Sequence, residues 1–403
     1  MTVWDALVGQ DEVVDALKAA AAAARDFGSG APPAASAMTH AWLFTGPPGS
    51  GRSVAARAFA AALQCTQPTE EGPGCGECSG CRSTLAGTHP DVHPVVPEGL
   101  SISVSEMRAV VAAAARRPVV GSWQAMIIED ADRLTEAASN ALLKVVEEPP
   151  RRTVFLLCAP STHPDDVTMT IRSRCRHLAL RTPPADAIAA VLTGEGAAPE
   201  IAAWAAQASQ GHVGRARRLV RDGDARARRA AVLAVPERVR SLRDCQEVAD
   251  ALIAAAESEA QALTDGLDEA ELDALRTALG AGGTGRGTTG TTRGMAGAVR
   301  ELQLRQRSRA TRSQRDALDR ALIDLAGFYR DVLRRQSGSA EGAAHPEVAD
   351  SVGRVAALLS PAGTLRRLEA VLACREALEL NVKPRIAVEA MVANLRLPDL
   401  AAS

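Results

Sequence analysis

Short, unbroken apolar runs alternate with helical stretches from about Val3 to Leu180, after which the pattern turns wholly helical. Trp42–Phe44, Ala125–Ile128 and Val154–Leu157 are continuous apolar segments bounded by turn residues, which predicts strands covered on both faces. One helix is expected to start near Asp11, just after Gly9-Gln10, and to run through the alanine-rich stretch to Ala24. Strands alternating with helices in this way predict a parallel α/β sheet. Gly28 to Ala37 has the composition of a Gly/Pro/Ser linker, and Thr182-Pro183-Pro184 breaks the chain. Three short helices follow, up to about Arg229. From about Arg238 the period is helical to the end, with Gly280–Gly294 and Gln336–Ala344 predicted as loops. The expected domains are an α/β domain over 1–180, a small helical domain over 181–237 and an all-helical domain over 238–403.

Bulk composition narrows the function classes. A chain of 403 residues exceeds one ordinary core, so two or three domains are natural. A formal charge of −2 excludes an overall basic coat for nucleic acid, though local basic patches remain open. Aromatic residues make up 2%, which argues against a base-stacking surface. No run reaches the ~18 apolar residues of a membrane span. The start, Met1 to Asp5, lacks the basic and apolar regions of a signal peptide, so a soluble, cytoplasmic protein is expected. Only three of the 46 basic residues are lysines (Lys18, Lys144 and Lys383), a bias toward arginine that bears on the next motif.

Gly46-Pro47-Pro48-Gly49-Ser50-Gly51-Arg52-Ser53 is a phosphate-binding loop with arginine in place of lysine. It lies between an apolar strand and the helical pattern that begins at Val54, the context in which such a loop has meaning. Its glycines let backbone N–H groups curl around an anion, and the helix start adds its dipole. Arginine is longer and planar, so the swap is not conservative in a tight site. The second half of a nucleotide site should be an apolar strand ending in acids that hold Mg²⁺ and orient water. Met126 to Ile128 supplies the strand, but the acids read Glu129-Asp130, the inverse of the order Asp-Glu. Inverting them moves each carboxylate by about a methylene, and a 1 Å error in a catalytic group costs on the order of 100-fold. The alternative is that Glu129 and Asp130 cap the following helix.

Cys65-x9-Cys75-x2-Cys78-x2-Cys81 has the spacing of a structural zinc site, with Gly72, Pro73, Gly74, Gly76 and Gly80 supplying the turns. His89 and His93 are not needed to complete the shell. Cys158, Cys175, Cys245 and Cys374 read as small buried residues. A helix beginning near Asp132 and stopped by Pro149-Pro150 carries an apolar stripe, Leu134, Ala138, Ala141, Leu142 and Val145. Its polar face holds Glu136, Asn140, Lys144 and Glu147/Glu148. Arg174, in Arg172-Ser173-Arg174-Cys175, is either a solvated arginine or one that reaches a neighbour's phosphate. Arg215, at the helix start Gly211-His212-Val213-Gly214-Arg215, either faces a nucleotide in cis or belongs to a solvated face.

These stretches together resemble the clamp-loader branch of the AAA+ proteins, in particular the delta-prime type found in bacterial DNA polymerase III. Trp4-Asp5-Ala6-Leu7-Val8-Gly9-Gln10, His40–Phe44, the phosphate loop and the four cysteines carry the likeness. So do Ser139–Lys144 running to Pro149, Arg172–Cys175 and, more weakly, Asn381–Glu389. The resemblance implies an AAA+ domain with an inserted zinc module, a helical lid and a helical collar for a five-subunit ring. It implies Arg174 as a finger acting in trans, structural zinc on the cysteines, and a degenerate ATP/Mg²⁺ site over Gly46–Ser53, Glu129, Asp130 and Arg215. The implied partners are tau/gamma ATPase subunits, a delta subunit, primer-template DNA and, indirectly, the sliding clamp. Catalysis would then belong to the DNA-directed DNA polymerase holoenzyme and not to this chain. Arg52, the Glu129-Asp130 order and Cys158-Ala159-Pro160 depart from an active ATPase. An active tau/gamma-type ATPase and a free-standing zinc-containing DNA-binding protein are the alternatives.

Overall fold

Alternate residues of the three central strands enter two different cores, and this places helices on both faces of the sheet. In the computed structural model, which describes residues 2–25, 37–70, 72–278, 291–339 and 343–397, the strands are β1 (Ala41–Thr45), β2 (Val92–Val95), β3 (Gln124–Ile128), β4 (Thr153–Ala159) and β5 (Arg176–Ala179). They form one parallel sheet in the order β2-β3-β4-β1-β5. Every residue of β1, β3 and β4 is buried. Trp42, Phe44, Ala125, Ile127, Val154 and Leu156 pack with helices α1 (Asp11–Arg25) and α2 (Arg52–Leu63). A short helix, α3 (Ser79–Leu85), follows the cysteine-rich loop. Ala41, Leu43, Met126, Ile128, Phe155 and Leu157 face the other way, onto α4 (Val104–Ala114) and α5 (Glu136–Glu147). The period of two along a strand is sufficient to sort them.

Two details differ from expectation. The helix expected near Asp132 begins at Glu136, because Asp130 takes a left-handed conformation (φ 51°) and a 3-10 turn over Ala131–Arg133 intervenes. Thr135 caps it by accepting the Ala138 N–H at 3.3 Å, so neither Glu129 nor Asp130 serves as the cap. The buried stripe of α5 is Ala138, Ser139, Leu142 and Val146, while Leu134, Ala141 and Val145 are only half-buried.

After α6 (Met169–Arg172) and β5, three short helices, α7 (Ala185–Gly194), α8 (Pro199–Ala208) and α9 (Val213–Arg221), close on their own small core of Ile188, Leu192, Ala202, Ala205, Ala206 and Leu219. The chain divides into two compact units, 1–220 and 221–403. The second unit is helical: α10 (Gly223–Leu233), α11 (Val235–Arg238), α12 (Leu242–Ala278), α13 (Thr291–Gln336), α14 (Ala349–Leu358), α15 (Pro361–Glu379) and α16 (Pro384–Leu395). Its core runs from Val232 to Leu397 and includes Phe328 and Tyr329, whose rings meet edge to face at 5.7 Å. Arg229 is buried there against Asp324 at 3.3 Å, Glu347 and the Nδ1 of His345 at 2.7 Å. Because arginine only donates, His345 accepts at Nδ1 and is neutral. Burial and the Arg229 charge also depress its pKa.

Of the predicted loops, residues 28–36, 280–290 and 340–342 lie outside the described residues. Thr291–Gly294, expected as loop, is the first turn of α13, and that helix continues to Gln336.

Candidate functional site

The phosphate loop follows β1 directly, at the carboxyl edge of the sheet where an open α/β sheet places its ligands. Gly49 (φ 86°) and Gly51 (φ 98°) adopt left-handed backbone that only glycine takes without strain, and Gly51 caps α2. Gly49 is needed for a second reason. A Cβ there would stand 2.6 Å from the Cα and 2.4 Å from the Cγ of His212, so the start of α9 rests directly on the loop. Gln10 fastens the same region. Its side-chain amide donates to the Arg181 carbonyl at 2.7 Å and accepts the Arg181 N–H at 3.1 Å, while also reaching the Ser50 carbonyl at 3.4 Å.

The charged groups of the two half-sites are engaged with their own chain. Arg52 folds back so that its Nη1 donates to the Gly46 carbonyl, 2.8 Å away. Glu129 is held at 2.7 Å by Arg57 of α2. Asp130 lies 3.9 Å from Arg133. Asp132 is pushed above the usual carboxylate range by burial and by the Asp130 charge, which Arg52 partly offsets. Ser53, the position that holds Mg²⁺ in an NTPase, bonds the thiol of Cys158. Burial and the charge of Glu129 push that thiol up to about 12. The fold therefore gathers Arg52, Ser53, Glu129, Asp130 and Cys158 into one locality.

Arg174 is placed differently. Its Nη2 meets Glu147 of α5 at 2.7 Å, and its Nη1 reaches the Thr170 carbonyl at 3.0 Å and the Ser173 hydroxyl at 3.3 Å. None of these partners belongs to the phosphate loop. Arg215 lies in the first turn of α9, where its backbone N–H donates to the Nδ1 of His212 at 3.2 Å.

The four cysteines converge. Their sulfurs all lie within 4.8 Å of one another, with Cys65–Cys75 at 3.7 Å and Cys75–Cys81 at 4.0 Å. Tetrahedral Zn–S bonds of about 2.3 Å place sulfurs roughly 3.8 Å apart, whereas a disulfide requires about 2.05 Å. The set could hold a metal such as zinc. Backbone N–H groups point at the sulfurs, from Cys78 to Cys75 at 3.3 Å and from Cys81 to Cys78 at 3.4 Å. Burial opposes ionising Cys78, yet N–H groups from Cys81 and Thr66 outweigh it and bring the thiol to about 5. Cys81 is driven the other way by burial and by the neighbouring sulfurs. Packed thiolates repel one another, and a bound cation removes the conflict. The loop is sewn to the chain start: Trp4 donates to the Pro73 carbonyl at 3.1 Å and Val3 N–H to Gly74 at 3.0 Å.

Several of these contacts had no sequence signal. Arg57 is one of many arginines, and only the turn of α2 brings it to Glu129. His212 and Gln10 lie outside any catalytic motif and matter because the helices after β5 fold back onto the loop.

A family model described as DNA polymerase III, delta subunit, matches residues 33–184. The delta' subunit of DNA polymerase III from Pseudomonas aeruginosa is 39% identical over 150 residues, which is 37% of this chain and 45% of the relative. The gamma/tau subunit from Mycobacterium tuberculosis is 34% identical over 187 residues, 46% of this chain and 30% of the relative. A gamma subunit-related protein of DNA polymerase III from Thermotoga maritima overlaps 88% of this chain and 93% of its own, at 14% identity and a TM-score of 0.39. The chain spans less than half the length of these two curated relatives. No helix among the described residues is long and apolar enough to cross a membrane. Over residues 33–184 the chain is therefore similar to delta-type subunits of DNA polymerase III.

Proposed function

We propose that this chain is a delta-prime-type subunit of a cytoplasmic clamp loader. It assembles with tau/gamma ATPase subunits and a delta subunit into a hetero-pentamer that helps place the sliding clamp on primed DNA. Its own nucleotide site is degenerate. One observation supports this above the others: the charged side chains of both half-sites are spent on the chain itself, Arg52 on the Gly46 carbonyl and Glu129 on Arg57. One of the Arg52 donors is turned onto the loop's own backbone, and Glu129 carries a cation where a catalytic acid would meet water. Arg174, at the surface and paired with an exposed Glu147, is the group offered to a neighbour's nucleotide. Zinc on the four cysteines is structural, since four sulfur ligands leave no open position for water. Residues 1–180, 181–237 and 238–403 serve as AAA+ domain, lid and collar.

The isolated chain is expected to show no appreciable ATP hydrolysis. Turnover at about 1 s⁻¹ or faster, abolished by Gly51→Val, would sink this reading. It would favour the second one, an active tau/gamma-type ATPase. That reading draws on the 187-residue match to a gamma/tau subunit, longer than the 150-residue match to delta'.

A further inference from the structure

Two helices of the second unit run on past its core as an antiparallel arm. Beyond Ala256 of α12 and Ala317 of α13, the buried residues among those described are Ala260, Thr264 and Gln306. The seam between the two helices is polar here. The Gln306 amide donates to the Asp268 carbonyl at 2.9 Å, and Arg309 holds Asp268 and also Glu271, the latter at 2.6 Å. Helices draw most of their stability from packing an apolar face, and this seam offers little of one. The outer surface of the arm therefore matters to it.

Asp265, Glu269 and Leu272 share one face of α12 by their i, i+4, i+7 spacing, and Leu304, Arg307 and Thr311 share one face of α13. Asp265 follows the seam residue Thr264, and Arg307 follows the seam residue Gln306. In an antiparallel pair this puts both faces on the same side of the arm. The contacts of Gln306 and Arg309 with Asp268 and Glu271 set the heights, so Thr311 stands level with Asp265, Arg307 with Glu269 and Leu304 with Leu272. Leu272 is half-buried and the other five are exposed, Leu304 by 55%. The side chains of Asp265, Glu269 and Arg307 make no ion pair or hydrogen bond among the described residues. A two-fold axis along the arm lays α12 of one copy over α13 of another and keeps those heights. Each level then meets its complement twice: carboxylate on hydroxyl, carboxylate on guanidinium, leucine on leucine. Toward the tip Arg276 approaches Arg300 of the second copy, a like-charge contact that Asp273 offsets from 3.5 Å away. An unrelated partner would have to supply this order of groups, whereas a second copy already carries it. We propose that the arm is a self-association surface, with α12 packed on α13 of a second copy and Glu269 paired with its Arg307.

This inference does not rest on the clamp-loader reading; in a loader subunit the contact would tie two loaders together. The full chain alone, in reducing buffer, is followed by sedimentation velocity from about 1 to 100 µM. A concentration-dependent dimer is expected. Arg307→Glu and Glu269→Arg should each weaken it about tenfold or more, and the double variant, which exchanges the charges, should restore it. Leu304→Asp should abolish it. Leu263→Ser/Leu267→Ser lies on the other side of the arm, because Leu263 precedes the seam residue Thr264, and should leave the dimer unchanged. A monomer throughout the range overturns the proposal. So does a dimer that survives Arg307→Glu, that the exchanged pair fails to restore, or that the Leu263/Leu267 variant disrupts. Each of these results leaves the ATP-hydrolysis test of the clamp-loader reading untouched.

Discussion

Arginine does several jobs in this chain, and the partner decides each one. Arg52 spans the phosphate loop, Arg57 neutralises Glu129, and Arg176 lies over the Trp42 ring at 5.0 Å. Arg174 differs because its ion pair with Glu147 is exposed, and an exposed pair contributes only about 0–1 kcal/mol. Such a pair parks the guanidinium without committing it. Arg174→Ala in an assembled loader should therefore leave assembly and this chain's stability almost unchanged while lowering the clamp- and DNA-stimulated ATP hydrolysis of its neighbours. An isolated finger is worth about 10³–10⁵ in rate, and a ring with several sites would show a smaller bulk loss. Stimulated hydrolysis at the wild-type rate in an intact ring would reduce Arg174 to a surface residue.

At the scale of elements, the cysteine loop is built to be fastened at both ends. Cys65 follows α2 and its carbonyl accepts a hydrogen bond from Arg25 of α1 at 3.0 Å. Cys78 caps α3, and Pro73 and Gly74 bind the chain start. Gly80 is required because a Cβ would stand 2.1 Å from the Gln64 carbonyl. Metal release should loosen the 65–81 segment and change the Trp4 environment, while the sheet core of Trp42, Phe44 and Leu156 persists. One zinc per chain should be found by metal analysis of protein purified under reducing conditions, and Cys78→Ser should remove most of it. Zinc content unchanged in that variant would rule out the four-sulfur site. The cysteine spacing announced this element. The edge strands β2 and β5 escaped notice because they read Val-His-Pro-Val and Arg-His-Leu-Ala, with only one face covered.

For the whole molecule, the division into two units implies that damage stays local. Arg229 is buried in the second unit among Asp324, Glu347 and His345, and removing one partner of a buried ionic cluster costs about 3–5 kcal/mol. Arg229→Ala should speed hydrogen exchange across α10 and α13 and leave the sheet of the first unit protected; equal loss of protection in both units would contradict the division. The amino-acid order alone was enough for the central strands, the phosphate loop, the cluster of four cysteines and the helical second half. Each is a local pattern, a period of two, a glycine spacing, a run of Cys-x2-Cys or a helical repeat, that needs no distant residue to be recognised. Tertiary structure alone decided that Arg57 takes Glu129, that Arg52 closes on Gly46, that His212 covers Gly49 and that Asp91 lifts Val119 and Val120 into solvent. In each of the first three the chain carries both partners but gives no sign of which arginine or which turn will arrive. Asp91 and Val119 stand 28 positions apart, and only the parallel pairing of β2 with β3 brings their neighbourhoods to the same edge.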